Sequence, residues 1–275
     1  MKLAKTLGFL SAALALGAVS VPASAAYVVL DGWQLVTPTN NVTTNIGRLN
    51  LVSGTSTVFQ EVNGTGNAFV GAKFTESGAI FSISYTEENV VGAGDSGPPG
   101  ILPERLTLSF SNVSGTVTNL NSGGGFHYTF DSGNFVLSGA SGNYASGSIV
   151  GLGGNNSSTQ VIGGVNGDST VLSTISQILN NAFDLRDNTG TSLKPQLANG
   201  TVLFEAVTNN NITGVLNSNI ACPFVTLNRC VQLSVASAGD AYLVQAVPEP
   251  GSLALAGLAL FGIGAVRRRS RSWKQ

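Results

Sequence analysis

One histidine, two cysteines and a charged fraction of only 10% are what the 275-residue chain offers to acid–base, thiol and electrostatic chemistry. An ordinary globular chain carries about 25% charged residues, so extended ion-pair networks are excluded. A single histidine, His127, leaves no second imidazole for a histidine-rich metal site, and Cys222 and Cys230 are too few for a four-cysteine zinc site. Long apolar runs are scarce as well. There are two, and they lie at the ends of the chain.

The first follows Met1-Lys2-Leu3-Ala4-Lys5, a positive start, and covers Thr6 to Val21 before the small-x-small triplet Ala23-Ser24-Ala25. This is the pattern of a secretory signal peptide over residues 1–25, with cleavage between Ala25 and Ala26. The second runs from Gly251 to Val266, 16 residues that reach roughly 24 Å as a helix, short of a hydrocarbon core of about 30 Å. Five positive charges and no acid follow it, from Arg267 to Lys274, which places that tip on the cytoplasmic side. A short transmembrane helix, held transiently in the inner membrane through residues 251–266, is expected there.

Setting both ends aside changes the charge balance. Between Ala26 and Val247 stand six bases against 13 acids, a net of −7 where the whole chain shows −1. Such a body has no electrostatic footprint for nucleic acid or anionic lipid. Residues 26–246 are rich in Gly, Ser, Thr and Asn with many short Val, Ile, Phe and Thr runs. That composition predicts an all-β, sandwich-like exported domain. Short strands are expected, among them Gly47–Val52, Thr57–Val62, Ala68–Thr75, Ala79–Thr86, Leu106–Phe110 and Ser114–Leu120. Others are Phe126–Phe130, Asn134–Ser138, Ser146–Val150, Thr201–Val207, Ile212–Leu216, Cys230–Ala236 and Ala241–Gln245. One segment has helical spacing: Val171, Leu172, Ile175, Ile178, Leu179, Ala182 and Phe183 predict a peripheral helix over Thr170–Phe183. Cys222 and Cys230, eight positions apart in an exported body, predict a local disulfide stabilising by about 2.6 kcal/mol on loop entropy.

Several motifs suggest chemistry without completing it. Gly94-Asp95-Ser96-Gly97-Pro98 is similar to the segment around the nucleophile of chymotrypsin-like proteases, but His127 follows it where that family places its histidine before. Gly92 to Gly97 fits G-x-G-x-x-G, yet Pro98-Pro99 prevents the helix that would receive a pyrophosphate. A lone Gly163-Gly164-Val165-Asn166-Gly167-Asp168 lacks the stacked repeats of a calcium nonapeptide. The pairs Glu87–Glu88 and Asp184–Asp187 read as solvated. No catalytic set, no metal site and no cofactor follows from these residues, so a non-enzymatic role is expected. Trp33, the one tryptophan between Ala26 and Val247, is the candidate for sugar stacking, with a core anchor as the plainer reading. Asn-x-Ser/Thr triplets at Asn41, Asn63, Asn112, Asn199 and Asn211 follow from composition.

The C-terminal stretch resembles a PEP-CTERM sorting signal over residues 247–275: Pro248, Glu249 and Pro250, the apolar run Gly251–Val266, and Arg267, Arg268 and Arg269. The resemblance implies processing by exosortase, a membrane transpeptidase, after export across the inner membrane. It also implies display at the cell surface or in the extracellular matrix alongside exopolysaccharide. Asp31-Gly32-Trp33-Gln34-Leu35, with Gly71–Glu76 and Asn89–Ser96, resembles the flocculation-associated branch of these proteins. That branch implies retention of secreted polysaccharide in flocs or biofilm. A carbohydrate-binding adhesin is the alternative, and a secreted glycoside hydrolase, needing two converging carboxylates, stands behind it.

Overall fold

The computed structural model describes residues 26–39, 41–88, 99–122, 124–156, 166–224 and 229–247. The signal peptide, the sorting signal with Pro248–Pro250 and Arg267–Arg269, and the Ser96 segment lie outside the described residues. The chain divides into two units, Val29–Gln245 and a smaller one made of both chain ends. Of the smaller unit, Ala26–Val28 and Ala246–Val247 are described, in extended conformation.

The larger unit is built from long antiparallel strands. Its main elements are β3 (Val42–Val62), β4 (Lys73–Glu87), β6 (Thr107–Leu120), β7 (Phe126–Gly139), β8 (Gly142–Gly151), β10 (Asn166–Ile178), β12 (Val202–Ala221) and β13 (Arg229–Val247). Each pairs with the next in this order, and β13 pairs back onto β3 from Arg229↔Val62 to Ala241↔Leu49. The sheet therefore closes on itself as an eight-stranded ring within this unit. Shorter pieces attach to it. β2 (Trp33–Val36) pairs with the start of β3, β5 (Pro99–Gly100) with β4, β9 (Gly153–Asn156) with β7 and β10, and β11 (Asp184–Arg186) with β2. β1 is Ala26–Val29. Among the described residues the one helix is α1 (Lys194–Ala198), a single turn that Pro195 helps to start and that buries Leu197.

The all-β class with one short helix agrees with the sequence, and two details differ. Several neighbouring short strands are joined into single long strands, and instead of a sandwich of two separate sheets they make one closed sheet. Where the sequence breaks, at Ser, Gly and Asn, the ladders shift register and the chain continues: at Ser53 in β3, between Glu76 and Gly78 in β4, between Ser111 and Ser114 in β6, between Ile212 and Gly214 in β12, and between Ser237 and Gly239 in β13. Bulges bend a strand without ending it. The second correction concerns Thr170–Phe183, which is no helix. Its first part is the strand β10, paired on both edges, to β12 through Ser173 and to β8 from Leu172 to Ile178. Two register shifts, at Leu172/Ser173 and Ile175/Gln177, disrupt the alternation that would have marked it as a strand.

Four apolar clusters form among the described residues, two of them large. The larger gathers Trp33, Ile46, Leu51, Ile80, Leu106, Phe135, Tyr144, Phe183 and Leu243, and the other gathers Val62, Val117, Phe126, Val231, Leu233 and Val235. Both draw on β3, β6, β7 and β13, from opposite sides of the bulges. A third cluster, Phe74, Val113, Phe130 and Ile149, shares Val58 and Tyr128 with the second and Phe110 with the larger, and a polar layer stands beside it.

Candidate functional site

That polar layer is set by alternation. On β4, Phe74 and Glu76 lie two positions apart and share a face. On β7, Phe126, Tyr128 and Phe130 turn inward and leave His127 exposed on the opposite face. β10 contributes Ser169 and Ser173, β12 Thr208 and Asn210, β13 Ser237 and β3 Ser56. Register makes partners of them: Ser169 stands opposite Thr208, and Asn210 opposite Ser237.

The side chains are tied by hydrogen bonds. Ser169 and Thr208 hydroxyls meet at 2.7 Å, Asn210 Nδ2 donates to Ser169 Oγ at 2.9 Å, and Ser237 Oγ donates to Asn210 Oδ1 at 2.8 Å. Ser56 Oγ donates to Glu76 Oε1 at 2.5 Å. Burial pushes the Glu76 carboxyl above the ordinary carboxylate range, and the Ser56 bond only partly offsets that. Burial, reinforced by the nearby Glu76, also raises the Tyr128 phenol. The layer is not filled. One cavity of about 80 Å³ lies among Phe110, Phe130, Phe135, Val171 and Phe204, and a second of about 70 Å³ among Phe74, Phe126, Tyr128, Ile212 and Leu233. Glu76 and Asn210 line both. An uncharged hydroxyl or amide can be bound at such a place, whereas an anion would meet a carboxyl in a weakly solvated site.

The residues singled out in the sequence are scattered. Trp33 is 1% exposed, in the larger core, so its ring is not presented for stacking on a sugar; this corrects the sugar-contact expectation in favour of a core anchor. The cause is its place in β2, where it pairs opposite Ile46. Cys222 and Cys230 are joined in a disulfide with Cα atoms 5.0 Å apart, at the end of the β12–β13 ribbon. Ala26 begins β1. Asp184 is buried, paired with Arg186 Nε at 3.0 Å and accepting from Ser192 Oγ at 2.7 Å. Asp187 sits in a turn, where Oδ1 accepts from Thr189 N, Thr189 Oγ1 and Thr191 N; those bonds hold its carboxyl below the ordinary range. The two aspartates thus serve local structure. Glu88 anchors the end of β4 through backbone bonds with Asn45. Asn63 and Asn199 each accept from the Thr two positions on, closing turns. Among the described residues no three metal-ligating side chains converge, and no helix is long and apolar enough to cross a membrane.

The interior polar layer itself was missed in the sequence reading. Its members are dispersed over six strands, and the signal that could have found them was the Ser, Thr or Asn standing at the mid-strand break of each long run.

Comparison with known proteins bears on the end of the chain. Residues 246–269 match the PEP-CTERM protein-sorting motif. The chain therefore carries this sorting motif at its C-terminus, which implies export, processing by exosortase and arrival at the cell surface. Comparison with curated proteins and with solved structures gives no match.

Proposed function

We propose that the chain is an exosortase-sorted, non-enzymatic protein of the cell surface or extracellular matrix that promotes flocculation or biofilm formation by retaining exopolysaccharide. The observation that carries this reading is the sorting motif over residues 246–269. The exposed side of the β12–β13 ribbon suits the role. Asn217 Nδ2 donates to Gln232 Oε1 at 2.8 Å, and Thr213 Oγ1 bonds Ser234 Oγ at 3.1 Å. Uncharged amides and hydroxyls of this kind exchange water for sugar hydroxyls without desolvating an ion. The same row supports a carbohydrate-binding adhesin as the second reading.

The test is the partition of polysaccharide between settled cells and clear medium in a strain deleted for this chain. Complementation by the full chain is compared with a version ending at Val247. The expected result is that deletion moves polysaccharide into the medium and that only the full chain restores settling. Unchanged settling overturns the flocculation role, and a sugar-array screen then decides whether an adhesin remains.

A further inference from the structure

The two ends of the exported chain run side by side. β13 gives one edge to β3 only as far as Ala241↔Leu49, and β1 (Ala26–Val29) also neighbours it in the sheet. Just past β1, Leu30 N donates to Leu243 O at 2.8 Å. With the edge before Ala241 taken by β3, β1 can only run antiparallel to the last residues of β13, toward Val247. Ala26–Val28 and Ala246–Val247 belong to the same small unit, and in it Tyr27, Val28 and Val247 are 41%, 55% and 38% exposed. Neighbouring side chains point to opposite faces, so β1 leaves both of its faces open, whereas a strand that covers a core hides one. No charged residue stands from Ala26 to Leu30 or from Ala241 to Val247; Asp31 and Asp240 are the nearest in sequence. Two apolar segments adjoin this ribbon in the chain. The signal-peptide run, Thr6 to Val21, stands before Ala26, and after Val247 only Pro248-Glu249-Pro250 precede the run Gly251–Val266. Even fully extended, Val247 and Gly251 are at most about 14 Å apart.

We infer that this two-stranded ribbon is a lipid-docking surface. While the sorting tag is in place, Tyr27, Val28 and Val247 rest in the boundary between the headgroups and acyl chains of a phospholipid bilayer. Tyrosine is favoured at that boundary, and the tether holds the ribbon within reach of it at all times. A run shorter than the hydrocarbon core also draws its flanks toward the bilayer. The contact rests on apolar burial, with no basic residue in the ribbon to seek an anionic lipid. It therefore depends on the high local concentration that the tether supplies, and it ends when exosortase removes the tag. No polysaccharide takes part, so the inference fails or holds independently of the flocculation role.

The experiment uses the exported chain, Ala26 to Gln275 with its tag, reconstituted in phosphatidylethanolamine–phosphatidylglycerol vesicles. A nitroxide is placed by Val28→Cys or, for comparison, by Val70→Cys, at a position 57% exposed. Cys222 and Cys230 are bonded to each other and do not take the label. Electron paramagnetic resonance reads how often the label collides with a nickel chelate dissolved in the buffer. A label held roughly 5–10 Å into the interface should be struck about tenfold less often at Val28 than at Val70. Tyr27→Asp, which sets a charge in the ribbon, should bring the Val28 rate back to that of Val70 with the melting transition unchanged. Equal rates at Val28 and Val70, or a chain that does not float with the vesicles, would overturn the inference. So would dipolar coupling between Val28 labels on two chains, which would mean that a second copy covers the ribbon. Protection at Val28 that survives Tyr27→Asp would likewise place its cause elsewhere and overturn it. Where Tyr27→Asp melts early, the comparison of Val28 with Val70 decides.

Discussion

Glu76 shows how one side chain can make stability depend on pH in an unfamiliar direction. A carboxyl that gains an ion pair on folding stabilises a protein as pH rises; Glu76 is instead buried beside a hydroxyl and a phenol, and burial raises its folded-state value above the ordinary 4.5. Below that ordinary value, folded and unfolded chains both hold the proton. As pH rises, the unfolded chain releases it first, and the folded state loses stability progressively until pH passes the folded-state value. Glu76→Gln keeps an acceptor for Ser56 and cannot ionise. Its melting temperature should exceed that of the wild type at pH 8, with the difference vanishing toward pH 4, as followed by circular dichroism. Equal melting at pH 8 would show that the carboxyl ionises at no cost. Trp33 gives a second residue-scale prediction. With its ring in the larger core, Trp33→Ala should cost about 3–5 kcal/mol in a denaturant titration, whereas a tryptophan reserved for sugar would leave stability unchanged.

In the strands, glycines are placed against aromatic rings across the ladder. Phe74 stands opposite Gly115, Tyr128 opposite Gly154, and Phe135 opposite Gly147. A Cβ at Gly147 would run into the Thr174 carbonyl and the Phe135 ring, while Gly64 in a turn has open space around it. Gly147→Val should therefore destabilise by at least about 1–3 kcal/mol through overpacking, and Gly64→Ala should stay within about 0.5 kcal/mol; paired urea titrations compare them. The disulfide closes the β12–β13 ribbon, and Cys222→Ser with Cys230→Ser should lower stability by about 2.6 kcal/mol. These elements also show what the sequence makes legible. Ile80-Phe81-Ser82-Ile83 alternates in residue type and reads correctly as strand, although the ladder shifts register opposite it and buries both Ile80 and Ile83, and two nearby cysteines in an exported body read correctly as a bridge. Mid-strand glycine and serine carry the same local signal whether the chain turns back or bulges onward, so long strands were read as pairs of short ones. In β10, two bulges replaced a period of two with helix-like spacing, and only the neighbouring ladders on both edges decide the outcome. Trp33 was ambiguous because its burial depends on β2 finding Ile46, a contact that no local pattern announces.

At the scale of the whole molecule, closure depends on the strand that comes last. β13 completes β12 on one edge and joins β3 on the other, so the ring cannot fully shut until the chain is made as far as Gln245. Pairing of β3 with β13 brings together opposite ends of the unit, a non-local contact of the kind that slows folding because loop-closure entropy is lost before the contact forms. Immediately afterwards in sequence comes the sorting motif. The buried apolar residues among those described all fall within the larger unit, Val29–Gln245, so the ring is expected to fold without the tag but not without its last strand. A chain ending at Val247 should melt cooperatively, within about 0.5 kcal/mol of the full chain. A chain ending at Ala221 leaves β3 and β12 each with a long unpaired edge and strips Val231, Leu233, Val235 and Leu243 from the two cores. It should show no cooperative transition and should be cleaved rapidly by protease. Cooperative melting of the chain ending at Ala221 would mean that the ring need not close for the cores to form. Loss of folding in the chain ending at Val247 would mean that the tag helps to hold the ring, and that sorting and folding are coupled rather than successive.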